Sequence, residues 1–349
     1  MQAISDAWPI WRRTLAGLAI GAAGGALFVA LGIPVPWLLG AMLATTALTL
    51  GGVRLGVDPR LRSAMLLVIG VLIGSGFEQD LVAQIGGWWW SLAALPVYVV
   101  VIAAVVMAYL RRVAGFDLKT AYFSASPGGL GEMILLADRY GADVRRTSLV
   151  HALRVLLLVT AIPLLVDRLG LVVAEPASAV SPSLAETAFL LATGIAGFLA
   201  ARLVRLPNAI LLGPMLASAV VHVLGWSESQ PPLVVVALAQ VVVGASVGAR
   251  FSGLGLGEVI RTLGHGAVIT VVMLVLSAAF AVAIHPLAGM GLLTLMIAYV
   301  PGGVAEMALV AIALGIDPAY VSTHHVIRIM LVVSLAALLA RWVQGRATR

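Results

Sequence analysis

One eight-residue pattern occurs twice in the chain, and that duplication limits its possible folds more than any other feature. Ser126-Pro127-Gly128-Gly129-Leu130-Gly131-Glu132-Met133 returns as Val300-Pro301-Gly302-Gly303-Val304-Ala305-Glu306-Met307, 174 residues later in a chain of 349. The match continues without a gap through Gly141/Gly315, Asp143/Asp317, Ser148/Ser322, His151/His325 and Arg154/Arg328. Between Pro127 and Val159, 14 of 33 positions are identical to their partners. Upstream, Gly21/Gly194, Gly24/Gly197, Pro34/Pro207, Gly40/Gly213 and Met42/Met215 correspond at an offset of 173, and Gly70/Gly244, Gly74/Gly248 and Phe77/Phe251 at 174. One residue was gained in a loop between the second and third segments, where insertions are tolerated.

The surroundings of the repeat are apolar. Hydrophobic residues make up 62% of the chain and charged residues 10%, whereas ordinary soluble domains carry about a quarter charged residues. Apolar runs lie near 14–31, 36–50, 63–77, 88–110 and 147–166, then near 186–204, 209–225, 233–249, 267–288 and 323–343. Runs of roughly 20 such residues are what a bilayer-spanning helix needs. No cysteine is present, which excludes disulfides, thiol catalysis and Cys-ligated metals. Trp8-Pro9-Ile10-Trp11-Arg12-Arg13 leads directly into the first span, with no cleavable signal pattern before it. The net charge of +6 fits basic loops that orient the spans better than a nucleic-acid partner, since no basic domain is present.

Loop charges decide how the halves are related. If each motif region enters and leaves the membrane on one side, 18 of the 21 basic residues share a face. Arg12, Arg54, Arg111, Lys119, Arg139 and Arg146 are among them, with Arg202, Arg250, Arg261 and Arg341 from the second half. Only Arg168 faces the other way, and Arg154 and Arg328 lie inside spans. If each motif region crossed completely, the halves would be parallel, and Arg202 and Arg205 would oppose the early arginines. The expectation is therefore an all-α polytopic membrane protein of two inverted repeats. Each has about five transmembrane helices plus a broken or re-entrant Pro-Gly-Gly element. Residues 1–167 form the first repeat, 168–184 a linker and 185–349 the second. Both termini are expected in the cytoplasm, with Gly141 cytoplasmic and Gly315 periplasmic.

Backbone groups at membrane depth must be satisfied, so a Pro-Gly-Gly break survives only where protein or a wet cavity surrounds it. The break exposes a helix N-terminus that favours an anion. In transporters built from inverted repeats, such broken elements meet near the midplane and form the substrate site. Pro127, Gly128, Gly129, Pro301, Gly302 and Gly303 are the candidate backbone elements; a sharp loop between short helices is the plainer alternative. Glu132 and Glu306 follow the breaks by three residues. Each can cap its own helix or couple a proton in a low-dielectric cavity. His151 and Arg154, and likewise His325 and Arg328, are three apart and share a helix face. An arginine well inside the hydrocarbon costs about 3 kcal/mol or more unless paired. Its partner is a carboxylate in a static bridge, backbone carbonyls at a half-helix end, or an anionic substrate. Adjacent His324 and His325 point apart on a helix, so no metal site is expected. Trp88-Trp89-Trp90 reads as interfacial anchoring, and Gly17/Gly21/Gly25 and Gly70/Gly74 as close helix packing.

The doubled Pro-Gly-Gly-x-x-Glu-Met element, each copy followed by Gly-x-Asp and His-x-x-Arg, resembles the AbrB family of bacterial integral membrane proteins. The resemblance covers essentially the whole chain. The family carries two labels, a regulator of gene expression and an ammonia monooxygenase, and is distinct from the soluble DNA-binding protein of the same name. A monooxygenase needs a metal or flavin centre, which these residues do not supply. A direct transcription factor needs a DNA-binding module. The sequence therefore leads to a secondary transporter of a small anionic solute, proton- or sodium-coupled, in the bacterial cytoplasmic membrane. It is expected to need no cofactor, to have no enzymatic activity and to bind no nucleic acid. The bilayer is its surrounding partner, and a homodimer is left open. The alternative is a membrane sensor that affects expression indirectly.

Overall fold

In the computed structural model, residues 8–77, 81–171, 182–254 and 256–347 are described. The middle of the expected linker lies outside them. The described residues form fourteen α-helices, one 3-10 turn and no strand. In chain order these are α1 Ile10–Ala30, α2 Pro36–Leu50, α3 Pro59–Gly74, α4 Leu81–Arg112, α5 Leu118–Ala125, α6 Leu130–Arg139 and α7 Val144–Arg168. Then come α8 Leu184–Leu203, α9 Ala209–Val223, α10 Leu233–Gly248, α11 Leu256–Ala288, α12 Leu292–Tyr299, α13 Val304–Ala313 and α14 Pro318–Ala347.

The helix limits repeat with the sequence. At an offset of 173, α2 maps onto α9 at both ends, and at 174 α3, α5 and α6 map onto α10, α12 and α13. Even unusual backbone recurs. Val35 and Asn208, the N-caps of α2 and α9, both take left-handed φ (51° and 49°), and Gly32 and Arg205 do the same three residues earlier.

Among the described residues seven helices are long and apolar enough to cross a membrane: α1, α4 from Gly86, α7, α8, α10 with its 3-10 turn, α11 from Val259 and α14 to Ala336. Three of the ten expected spans form shorter helices. α2 and α9 have 15 residues and α3 has 16, or about 23 Å at 1.5 Å per residue against a hydrocarbon core of about 30 Å. Lipid-compatible faces carry exposed side chains such as Leu27, Leu191, Ile195 and Leu199, and Val271, Val275 and Val282.

The helices gather into two compact units, and each unit draws on both halves of the sequence. The first unit comprises residues 1–85, 159–258 and 305–319. Its helices pack through glycine. Gly24 and Gly40 press together where α1 meets α2, as do Gly197 and Gly213 where α8 meets α9. Gly70 and Gly74 of α3 lie on the backbone of α9 at Leu211 and Met215, and Gly244 and Gly248 of α10 lie on α2 at Leu38 and Met42. The third helix of each repeat thus packs on the second helix of the other. This reciprocal exchange is the pattern of a two-fold relation. Ser218 Oγ donates to the Val71 carbonyl (2.8 Å) and Thr49 Oγ to that of Gly248 (3.1 Å), closing both seams.

The second unit comprises residues 86–158, 259–304 and 320–349. An aromatic cluster fills its centre. Tyr98 stacks edge-on against Phe280 and Tyr299, and its hydroxyl pairs with Ser277 Oγ at 2.9 Å. Ser91 ties three helices together: its carbonyl accepts from Tyr299 Oη (2.6 Å), and its hydroxyl pairs with Tyr320 Oη (2.7 Å) and His324 Nε2 (2.9 Å). Trp88 corrects the anchoring assignment of the tryptophan triplet. It is 2% exposed and packs edge-on against Tyr320, while only Trp89 and Trp90 face outward.

Candidate functional site

The first break follows from local chemistry. Asp117 caps α5 by accepting from the Lys119 and Thr120 amides, both at 3.0 Å. Eight residues later the helix must stop, because Pro127 disfavours helical backbone at the residue before it. Ser126 is extended (φ −61°, ψ 127°), and Val300 repeats this at the second break (φ −56°, ψ 128°). α6 starts again after Gly129, with no side-chain cap.

Hydrogen bonds to α7 show which way the chain turns. The Asp143 amide donates to Thr120 Oγ1 (2.9 Å), Ser124 Oγ to Thr147 Oγ1 (3.4 Å) and His151 Nε2 to the Phe123 carbonyl (2.8 Å). Arg154 then reaches the carbonyls of Ser126 and Gly128, both at 3.1 Å. Residue numbers rise together on both sides, so α5 and α7 run parallel. α7 begins beside the start of α5, so α6 has carried the chain back. Residues 118–143 form a hairpin that enters and returns at one end, with Pro-Gly-Gly at its tip. Its arms are about 12 and 15 Å long at 1.5 Å per residue, roughly half a bilayer core.

The same contacts recur between α12 and α14. His325 Nε2 donates to the Ile297 carbonyl (3.2 Å). Arg328 donates through Nη1 to the carbonyls of Tyr299 (3.3 Å) and Val300 (2.9 Å), and through Nη2 to that of Gly302 (3.1 Å). A helix C-terminus leaves its last carbonyls without intrahelical partners and carries negative dipole charge. The two His-x-x-Arg pairs supply donors and positive charge to the broken ends of α5 and α12. Of the three partners foreseen for the buried arginines, the backbone carbonyls are the ones present. Among the described residues no carboxylate forms a salt bridge with either; Arg146 with Asp143 is such a pair, at 3.4 Å.

Arg328 also brings the two breaks together: its Nε donates to the Pro127 carbonyl at 3.0 Å. The first break lies on α14 as well, where a Cβ at Gly128 would press on Val332 and one at Gly129 on Ile329. Pro127, Gly128, His151, Arg154, Pro301, Gly302, His325 and Arg328 are all buried, and Gly129 and Gly303 are half-buried.

The two glutamates have different surroundings. Glu132 is half-buried, and its carboxylate folds back onto Gly129, the N-cap residue of its own helix. Glu306 is 7% exposed and falls in the first unit, where it and Arg62 both act electrostatically on Arg250. Arg62 Nε donates to Ser246 Oγ there at 3.2 Å. The loop-charge reading of the sequence takes Arg250 as an orienting charge and does not single out Arg62. It had also passed over Ser91, Tyr299 and Tyr320, which carry no motif.

Known proteins are similar to this chain in sequence. The family model described as transition state regulatory protein AbrB matches residues 37–344. The "Uncharacterized protein YhjN" of Bacillus subtilis (strain 168) is 29% identical over 348 residues, covering 91% of this chain and 90% of that protein. The "Putative regulator AbrB" of Escherichia coli (strain K12) is 25% identical over 330 residues, covering 92% and 94%. With both Pro-Gly-Gly breaks and both His-x-x-Arg pairs inside the matched region, the chain belongs to the AbrB family.

Proposed function

We propose that this AbrB-family protein is a secondary transporter of a small solute in the bacterial cytoplasmic membrane. Its solute site would lie at the paired Pro-Gly-Gly breaks. The observation that carries this reading is Arg328, which holds carbonyls of both breaks at once. Irregular backbone at membrane depth is tolerated where it lines a site, and paired broken elements of repeats are where transporters bind substrate. The returning hairpin at 118–143 supports five crossings per half, hence inverted halves, cytoplasmic termini and access alternating between the two faces. Glu132 and Glu306 are the candidate carriers of a coupling proton or sodium ion.

A second reading rests on the family description and the Escherichia coli relative's name, both of which point to regulation. In it the same site serves a membrane sensor that binds a solute without moving it. Reconstitution into proteoliposomes separates the two. A transporter accumulates or exchanges a labelled solute from a panel of small organic anions, with a pH dependence that Glu132→Gln or Glu306→Gln flattens. Binding with no flux across the whole panel would replace transport with sensing. Unchanged pH profiles in both variants would reduce the glutamates to helix caps.

A further inference from the structure

The two repeats treat their buried arginines differently. A guanidinium has five N–H groups. Arg328 places all five: Nε on the Pro127 carbonyl, Nη1 on those of Tyr299 and Val300, and Nη2 on the Gly302 carbonyl and His325 Nδ1 (3.5 Å). Arg154 stands at the equivalent place and bonds Ser126 and Gly128, the counterparts of Val300 and Gly302. Its Nε, buried in a side chain only 2% exposed, has no acceptor among the described residues. The oxygen that Pro127 supplies to Arg328 has no counterpart at Arg154.

Charge is unbalanced in the same place. The two guanidiniums bond neighbouring carbonyls of the first break, Arg154 those of Ser126 and Gly128 and Arg328 that of Pro127, and among the described residues neither forms a salt bridge. Burying unpaired charge is costly. The carbonyl ends of α5 and α12 together offset roughly one unit of it, at about half a charge per helix end. The Glu132 carboxylate, folded onto Gly129, lies beside the same break without a salt bridge to either arginine.

We propose that Arg154 binds the carboxylate of a small organic anion. One oxygen would sit on Nε where Pro127's carbonyl sits on Arg328, and the other would lie on the remaining N–H of Nη2. A guanidinium edge fits a planar carboxylate in this side-by-side manner. In this assignment Arg328 is a positioning residue that binds the two breaks to each other. The inference names the ligand of the site proposed above, and so rests on that reading.

The test is ligand-dependent thermal unfolding of the purified full chain, followed by tryptophan fluorescence. Sodium formate and sodium acetate are titrated against equal concentrations of sodium chloride, with sodium phosphate as a separate arm. The wild type is expected to gain a saturable rise in midpoint from a carboxylate and none from chloride. Arg154→Lys should weaken the apparent affinity at least tenfold, and Arg154→Gln should abolish the response. A wild type that responds to no carboxylate overturns the proposal without any variant, since water then suffices at Nε. A response to phosphate alone, or one that persists undiminished in Arg154→Gln, overturns it as well. Carboxylate binding without flux in proteoliposomes would sink the transport reading and leave this one standing. Flux indifferent to Arg154→Gln would do the reverse.

Discussion

A guanidinium inside hydrocarbon must find its acceptors within the protein, and the two His-x-x-Arg pairs do so by capping broken helices. Sequence identity hides the difference between them. Arg154 and Arg328 share one motif, yet only Arg328 spends its Nε on the opposite repeat. No local pattern could show this, because it depends on how closely the facing break approaches. The asymmetry has a measurable consequence. A lysine can reach one or two carbonyls but not four, and hydrogen bonds to charged groups contribute about 1.5–3 kcal/mol each. Arg328→Lys should therefore cost about 3 kcal/mol or more, and Arg154→Lys clearly less. Equal losses in thermal unfolding would mean that both arginines are mere scaffold.

At the scale of the element, Thr120 ties the base of the 118–143 hairpin. Thr120 Oγ1 accepts the Asp143 amide, joining the start of α5 to the start of α7. Thr120→Val keeps the shape and orphans that amide, a loss of about 1–3 kcal/mol. Hydrogen exchange should then quicken in residues 130–143 while α8–α10 stay protected. Uniform protection throughout would mean the hairpin does not depend on this tie. Much of the element was legible beforehand. Pro-Gly-Gly forced a break, and its duplication marked where the second copy begins and ends. Trp88 was not legible. Successive helical residues point about 100° apart, so three adjacent tryptophans cannot all face the interface, and nothing local says which one turns inward.

For the whole molecule, one duplication explains both units. In the first, glycine seams cross reciprocally between α3 and α9 and between α10 and α2; in the second, one arginine joins the two breaks. Reciprocity follows from any two-fold axis, so packing alone leaves the orientation of that axis to the charges. Arg139, Arg145 and Arg146 flank the first hairpin's exit, while no lysine or arginine lies between Arg261 and Arg328. By the positive-inside rule the two motif regions are expected to open to opposite sides. Single cysteines report this directly, because the chain has none of its own. Gly141 and Gly315 are poor hosts, as both have positive φ (69° and 66°) and a side chain there is strained. Arg139 and Ala313, equivalent positions at the ends of α6 and α13, avoid that. With a membrane-impermeant thiol reagent, Ala313→Cys should label in intact cells and Arg139→Cys only in inside-out vesicles. Labelling of both from the same side would contradict the inverted repeat, and with it a solute site reached alternately from the two faces.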